Sequence, residues 1–224
     1  PSLHSNMAKS VAAAAEKNDI PLCNNLLRNM NENPNTPGGT KNISALLYAT
    51  ASGNLDLSSL LISAGADPNC TDGFHTTPLH YACRLGHNDL AGRLISEGGQ
   101  IDASDQNGMT SLMLASHYGH LKTVQLLLSL GADPLKKNIF EQRATDILVD
   151  AIHRRTRNIF DGSETLEDYI QFQYSEEALK HFCSSNNQNN VHFEDIKHLV
   201  DSVYLKNLSQ ILRELSLALA TVGN

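Results

Sequence analysis

Polar and apolar residues along this chain recur with a period far longer than a helix turn. Leu46, Leu79 and Leu112 lie 33 apart, as do Gly53, Gly86 and Gly119, and Gly65, Gly98 and Gly131. Such a period marks a stacked-repeat architecture, in which each unit buries its apolar face only against its neighbours. Within a unit the pattern predicts two short helices. Ser44, Thr77 and Thr110 stand where a hydroxyl accepts from a free first-turn amide, and Pro78 follows where a missing N–H costs little. The first helix carries Ala49, Ala82 or Ala115 and ends at the glycine of SGN, LGH or YGH. The second carries apolar pairs such as Leu60-Leu61 and Leu126-Leu127 and stops at Gly65, Gly98 or Gly131. The polar stretches after it, ADPNCTDGFHT and QIDASDQNGM, read as extended turns.

The period fades on both sides of this array. Upstream, AAAAEKNDIPLCNNLLRNM echoes ATASGNLDLSSLLIS with an offset of 35, which sets Asn18 at Gly53 and Leu26 at Leu61. It predicts an N-terminal capping helix pair, followed by the linker NENPNTPGGTKN. Downstream, Arg143, Ala144 and Thr145 fall at Thr110, Ser111 and Leu112, but the terminal glycine and leucine pair are missing, so a degenerate fourth repeat is expected. Beyond Ile159, ETLEDYIQFQYSEEALKHFC and HFEDIKHLVDSVYLKNLSQILRELSLALA carry helical apolar stripes separated by SSNNQNN. These helices read as a cap on the solenoid end; self-association through the last helix is the competing reading.

Thr77 to Ala82, TPLHYA, match the TPLHxA motif of the ankyrin repeat family residue for residue, and GH, LL and GAD follow in phase. Over residues 42–137 the chain resembles that family. The resemblance implies an all-α solenoid of stacked helix pairs with β-hairpin-like turns. The expected organisation is a cap and linker at 1–41, repeats at 42–71, 72–104 and 105–137, a degenerate repeat at 138–157 and a helical extension at 158–224.

The resemblance also implies where a partner would lie, on the turn tips and the exposed ends of the first helices. Carried over by the 33-residue phase, the tips are Thr40, Lys41 and Ile43; Gly73, Phe74 and Thr76; Gln106, Asn107 and Met109; and Ile139, Phe140 and Gln142. The helix ends are Ala51 and Ser52, Arg84 and Leu85, His117 and Tyr118, and Asp150. The partner-binding candidates are Phe74, Thr76, Arg84, Leu85, Gln106, Asn107, Met109, His117, Tyr118, Phe140 and Gln142. Phe74, Met109, Tyr118 and Phe140 are large and apolar or aromatic where water should reach, and half of them are expected to tuck against neighbouring turns. Function is therefore expected to be binding of another protein or peptide, without catalysis. The competing class is the recognition part of a larger enzyme or secreted bacterial-type effector, with activity outside this sequence or within the C-terminal helices.

Composition narrows this further. The chain has 224 residues, 41% apolar and 18% charged, with a net charge of −7. An acidic chain lacks the basic face that displaces counterions from nucleic acid, so nucleic acid is not an expected partner. No run of about 18 apolar residues occurs and PSLHSNMAKS lacks a signal pattern, so no membrane partner is expected and the cytoplasm or nucleus is the expected location. His80, Cys83 and His87 invite a metal or nucleophile reading, yet the equivalent positions hold Leu47, Thr50 and Asn54, then Met113, Ser116 and His120. Only one unit presents the set, and Gly86 should end the helix before His87. The resemblance makes Thr77 and His80 structural. No catalytic residue, metal or cofactor is expected. A basic group, Lys136, Lys137, Arg143, Arg154, Arg155 and Arg157, reads as a solvated helix end or a contact for an acidic partner or phosphate. His75 and Glu141 replace the turn glycine of the family, which suggests reshaped turns, and Arg93 falls in a leucine column, either reaching outward or meeting an acid.

Overall fold

The computed structural model describes residues 10–148, 150, 151, 210, 211 and 213–221. Eight helices run in pairs: α1 (Val11–Glu16) and α2 (Ile20–Asn29), α3 (Ala45–Ala51) and α4 (Leu55–Ser63), α5 (Pro78–Leu85) and α6 (Asn88–Ser96), α7 (Ser111–His117) and α8 (Leu121–Ser129). First helices stack on first helices, α1 on α3, α3 on α5 and α5 on α7, while α4, α6 and α8 form a second layer. Among the described residues no strand forms, but bridges between Gly38 and Ile43 and between Ser104 and Thr110 give the turns a hairpin character.

The predicted signals act as expected at most helix ends. Thr77 accepts from the His80 amide and Thr110 from the Met113 amide. Ser44 departs from this: it makes no side-chain cap, because its hydroxyl donates to Cys70 Sγ at 2.9 Å. Gly86 closes α5 with φ of 73°, and a Cβ there would meet the His120 ring at 2.7 Å. Conformation and close approach both demand glycine. Asn18, aligned with Gly53 by the upstream echo, takes φ of 55°, and its side chain accepts from Ser52 and Asn54 of the next unit.

The core is a ladder of small first helices and one leucine of each pair. Leu61, Leu94 and Leu127 are fully buried, whereas Leu60 and Leu126 are only partly so. The column that holds Arg93 is thus half-exposed rather than buried. Arg93 reaches outward, and its guanidinium donates to Ser63 Oγ of the preceding unit at 2.6 Å.

Two ladders of side-chain amides and carboxylates tie unit to unit. Asn35 accepts from the Asp67 amide and donates to Gly65 O; Asn69 accepts from the Gln100 amide and donates to Gly98 O; Asp102 accepts from the Asp133 amide. An amide side chain both donates and accepts, so one asparagine satisfies a helix-end carbonyl and the next turn together. The second ladder holds the tips. Asp72 Oδ1 accepts from the Phe74 and Thr76 amides, Asp105 Oδ1 from those of Asn107 and Met109, and Asn138 Oδ1 from those of Phe140 and Gln142, all at 2.8–3.0 Å. This bonding holds the turns in register despite non-glycine residues at the fourth position. Asn42, His75 and Glu141 adopt φ of 51°, 58° and 60°, beside 71° at Gly108. The turns of His75 and Glu141 are therefore not reshaped; they keep the left-handed residue at a cost in strain.

The fourth unit begins in phase. Residues 144–148, 150 and 151 are helical, with Ala144, Ile147, Leu148 and Ala151 buried. The stripe at 164–183 lies outside the described residues, as do Arg154, Arg155 and Arg157. Of the last helical pattern, 210, 211 and 213–221 are described and helical. Ile211 and Leu215 are fully buried in the same apolar cluster as the repeats, and Gln125 Nε2 donates to Glu214 Oε1 at 3.2 Å. On α8, Thr123 bonds back to Asn88 of α6. Gln125, two residues on and roughly 200° around the helix, faces the other way. The C-terminal helix thus packs on the array beside α8.

Candidate functional site

The candidate surface is built from the tips and the first-helix ends, and hydrogen bonds show that these positions are continuous. The Gln106 amide donates to Phe74 O and the Ile139 amide to Asn107 O, both at 3.0 Å, which chains three successive tips. From the second tip the line turns onto α5: Tyr81 Oη donates to Asp72 Oδ2 at 2.8 Å, and the Arg84 guanidinium lies over the Tyr81 ring, 4.9 Å from its centre. From α5 it passes to the third unit, where His120 Nε2 bonds Arg84 O at 2.9 Å. Tyr118 stacks on His120 and meets His117 edge-on.

Of the predicted residues, Phe74, Arg84, Leu85, Gln106, Asn107 and Phe140 are exposed, while Thr76, Met109, His117, Tyr118 and Gln142 are partly buried. The four bulky candidates divide evenly. Phe74 and Phe140 stand 61% and 69% exposed; Met109 packs against the core and Tyr118 against the two histidines. Ile139 is as exposed as Phe74, at 61%. Gln142 bonds Asp150 Oδ2 at 2.7 Å, so both lie on one edge of the fourth unit.

Sequence reasoning missed the residues that organise this surface. Burial works to raise the Asp72 carboxyl, but the Thr76 and Phe74 amides and the Tyr81 hydroxyl hold it below its ordinary value, so it is ionised at neutral pH. Tyr81 is pushed up to about 12, by burial first and by Asp72 next, and stays a donor. The signal was present: Asp72, Asp105 and Asn138 lie 33 apart, as do Tyr48 and Tyr81. Tyr48 plays a related part, accepting from the Lys41 amide and donating to Gly38 O. In the first turn the Asp72 role passes to Glu16 of α1, which accepts from the amide and hydroxyl of Thr40.

The triplet His80, Cys83 and His87 is dispersed. His80 is fully buried; its Nδ1 accepts from the Thr77 amide at 3.2 Å and its Nε2 bonds Met109 O at 3.0 Å. A backbone N–H can only donate, so the imidazole is the neutral Nε2–H tautomer. Burial lowers its pKa, against the pull of Met109 O and of Asp105. Cys83 occupies the position where Thr50 and Ser116 bond back to the helix, and burial pushes its thiol up to about 12. His87 is beyond Gly86 and rests against Gly53. Among the described residues, no group of three or more His, Cys, Asp or Glu side chains is arranged to hold a metal. The described part of the basic group is partly tied up: Lys137 pairs with Glu141, Arg143 with Asp146, and Lys136 donates to Asp102 O.

Stacked helix pairs, a TPLH capping box and linked turn tips are thus all in place. Residues 46–138 match the family model for ankyrin repeats in three copies. This segment is an ankyrin-repeat array. No curated protein matches the chain. Ankyrin repeats are in general protein–protein interaction modules and typically non-catalytic. Among the described residues no helix is long and apolar enough to cross a membrane.

Proposed function

We propose that the tip-and-helix face of this ankyrin array binds another protein or a peptide and performs no catalysis of its own. The observation that carries the reading is the exposure of Phe74 and of Ile139 and Phe140 on two tips joined by hydrogen bonds through the one between them, together with Arg84 over its aromatic neighbour. Bulky side chains held outward on a rigid backbone concentrate interface energy, because ordering them on binding costs little entropy. Phe74, Arg84, Leu85, Asn107 and Phe140 are the exposed contacts in this reading, with Gln106 between them. Thr76, Met109, His117, Tyr118 and Gln142 form its partly buried bed. In this reading the array works in the cytoplasm or nucleus, where a chain whose four cysteines are few and widely spaced keeps its thiols reduced.

The test is affinity capture from cells with the wild-type chain and with a triple variant, Phe74→Ala, Arg84→Ala and Phe140→Ala. Because these side chains are exposed, the melting temperature should fall by no more than about 6 °C, as surface changes usually cost under about 0.5 kcal/mol each. A reproducible partner whose affinity for the triple variant is more than about tenfold weaker supports the reading. A partner bound equally by both proteins would discard this face.

A further inference from the structure

Resting on the reading above, we infer that the partner segment is acidic as well as apolar, and that a carboxylate of its Asp or Glu is taken by Arg84. Donor and acceptor accounting on the face points this way. The acidic groups of the surface are used internally: Asp72 by two amides and Tyr81, Asp105 by two amides, Glu141 by Lys137, and Asp150 by Gln142. Arg84 is not so used. Among the described residues it is exposed, pairs with no carboxylate and has its guanidinium over the Tyr81 ring.

That contact leaves the exposed guanidinium with N–H donors to offer a partner on the face. Stacking on an aromatic ring pre-organises the planar fork, so a bidentate carboxylate costs less ordering than at a free arginine. Tyr81 is itself fixed by Asp72, so Asp72, Tyr81 and Arg84 form one positioned column. Phe74 stands on the turn that Asp72 closes, with Leu85, 39% exposed, next to Arg84 in the chain. Arg84 thus belongs to one connected surface with exposed apolar side chains that would shed water on contact, and a charged hydrogen bond gains strength where water is excluded. A polyanion fits less well, because among the described residues of this face one fixed cation offers none of the repeated phosphate contacts such binding needs.

The test is selection of a phage-displayed library of random dodecapeptides on the full chain, followed by anisotropy measurements with the enriched peptides in synthetic form. The expected enrichment is Asp or Glu beside aromatic or branched aliphatic residues. Arg84→Ala should weaken these peptides about tenfold, and Arg84→Lys should recover only part of the loss. Replacing the peptide acid by its amide should weaken binding to the wild type, with little further loss in Arg84→Ala, the mark of a direct pair. Tyr81→Phe, which frees Asp72 but keeps the ring, should weaken the acidic peptides and spare their amide forms. Neutral or basic enriched peptides, or peptide and Arg84 losses that simply add, would overturn the acidic assignment while leaving the face intact. Peptides indifferent to Phe74→Ala with Phe140→Ala would instead overturn the face, and this inference with it.

Discussion

Replacing His80 by methionine should remove a specific pH sensitivity of the fold. The structure supplies the substitution itself, since Met113 holds the same place in the next unit, 1% exposed, with its sulphur accepting the Thr110 amide at 3.4 Å. Methionine is therefore tolerated sterically. What it cannot do is donate to Met109 O, which keeps only the Asp105 amide at 3.0 Å, so one hydrogen bond is lost at a cost of about 0.5–1.5 kcal/mol at pH 7. The pH dependence follows from linkage. His80 is fully buried, its folded pKa is lowered by burial, and Nδ1 faces an amide donor, whereas in the unfolded chain it titrates near pH 6.5. Below that value the unfolded state takes up a proton that the folded state refuses. Stability from this group is full above about pH 6.5 and declines as pH falls through the window beneath it, by at most about 1.4 kcal/mol per pH unit. Between pH 7 and 5 the loss is bounded at about 2 kcal/mol. Urea unfolding followed by far-ultraviolet circular dichroism at pH 7, 6 and 5 measures it. His87, also lowered by burial, contributes in the same window in both proteins, so the comparison of slopes isolates His80. If His80→Met loses as much stability between pH 7 and 5 as the wild type, the buried neutral imidazole is not the cause.

Two further outcomes are expected on stability. His75→Gly should stabilise the array by up to about 1 kcal/mol, the left-handed cost of a side-chain-bearing residue less the added entropy of an unfolded glycine. Gly108→Ala should destabilise it, because φ is 71° there and a Cβ would approach Asn138 backbone at 3.0 Å; differential scanning calorimetry reads both, and equal melting temperatures would refute the strain. Leu215→Ala, which empties a fully buried site under the C-terminal helix, should cost about 2–5 kcal/mol in chemical unfolding, and a loss under about 0.5 kcal/mol would show that the helix does not pack on the array.

How much of this was legible differs by kind of feature. The helices begin at Thr77 and Thr110 and end at Gly86 as their chemistry dictates, because a cap needs only its own hydroxyl and an amide three residues on. Asn18 was placed at a glycine position by alignment alone, and its left-handed φ follows. The surface was harder. Phase put Phe74 and Phe140 on the tips, where they are exposed, but could not tell that Met109 folds back while Ile139 stands out. Arg93 was ambiguous for the same reason: its burial depends on how far each outer helix leans from its neighbour.

The sequence by itself determined the period, the helix pairs, their caps and terminators, and the arrangement of tips, since all of these are set by bonds between residues a few positions apart. Only the tertiary structure decided what crosses between units. His80 reaches the carbonyl of Met109, Asn69 that of Gly98, and Gln125 the carboxylate of Glu214. Each depends on the rotation and spacing of stacked units, which the packing of Leu61, Leu94 and Leu127 fixes collectively and no short stretch of sequence specifies.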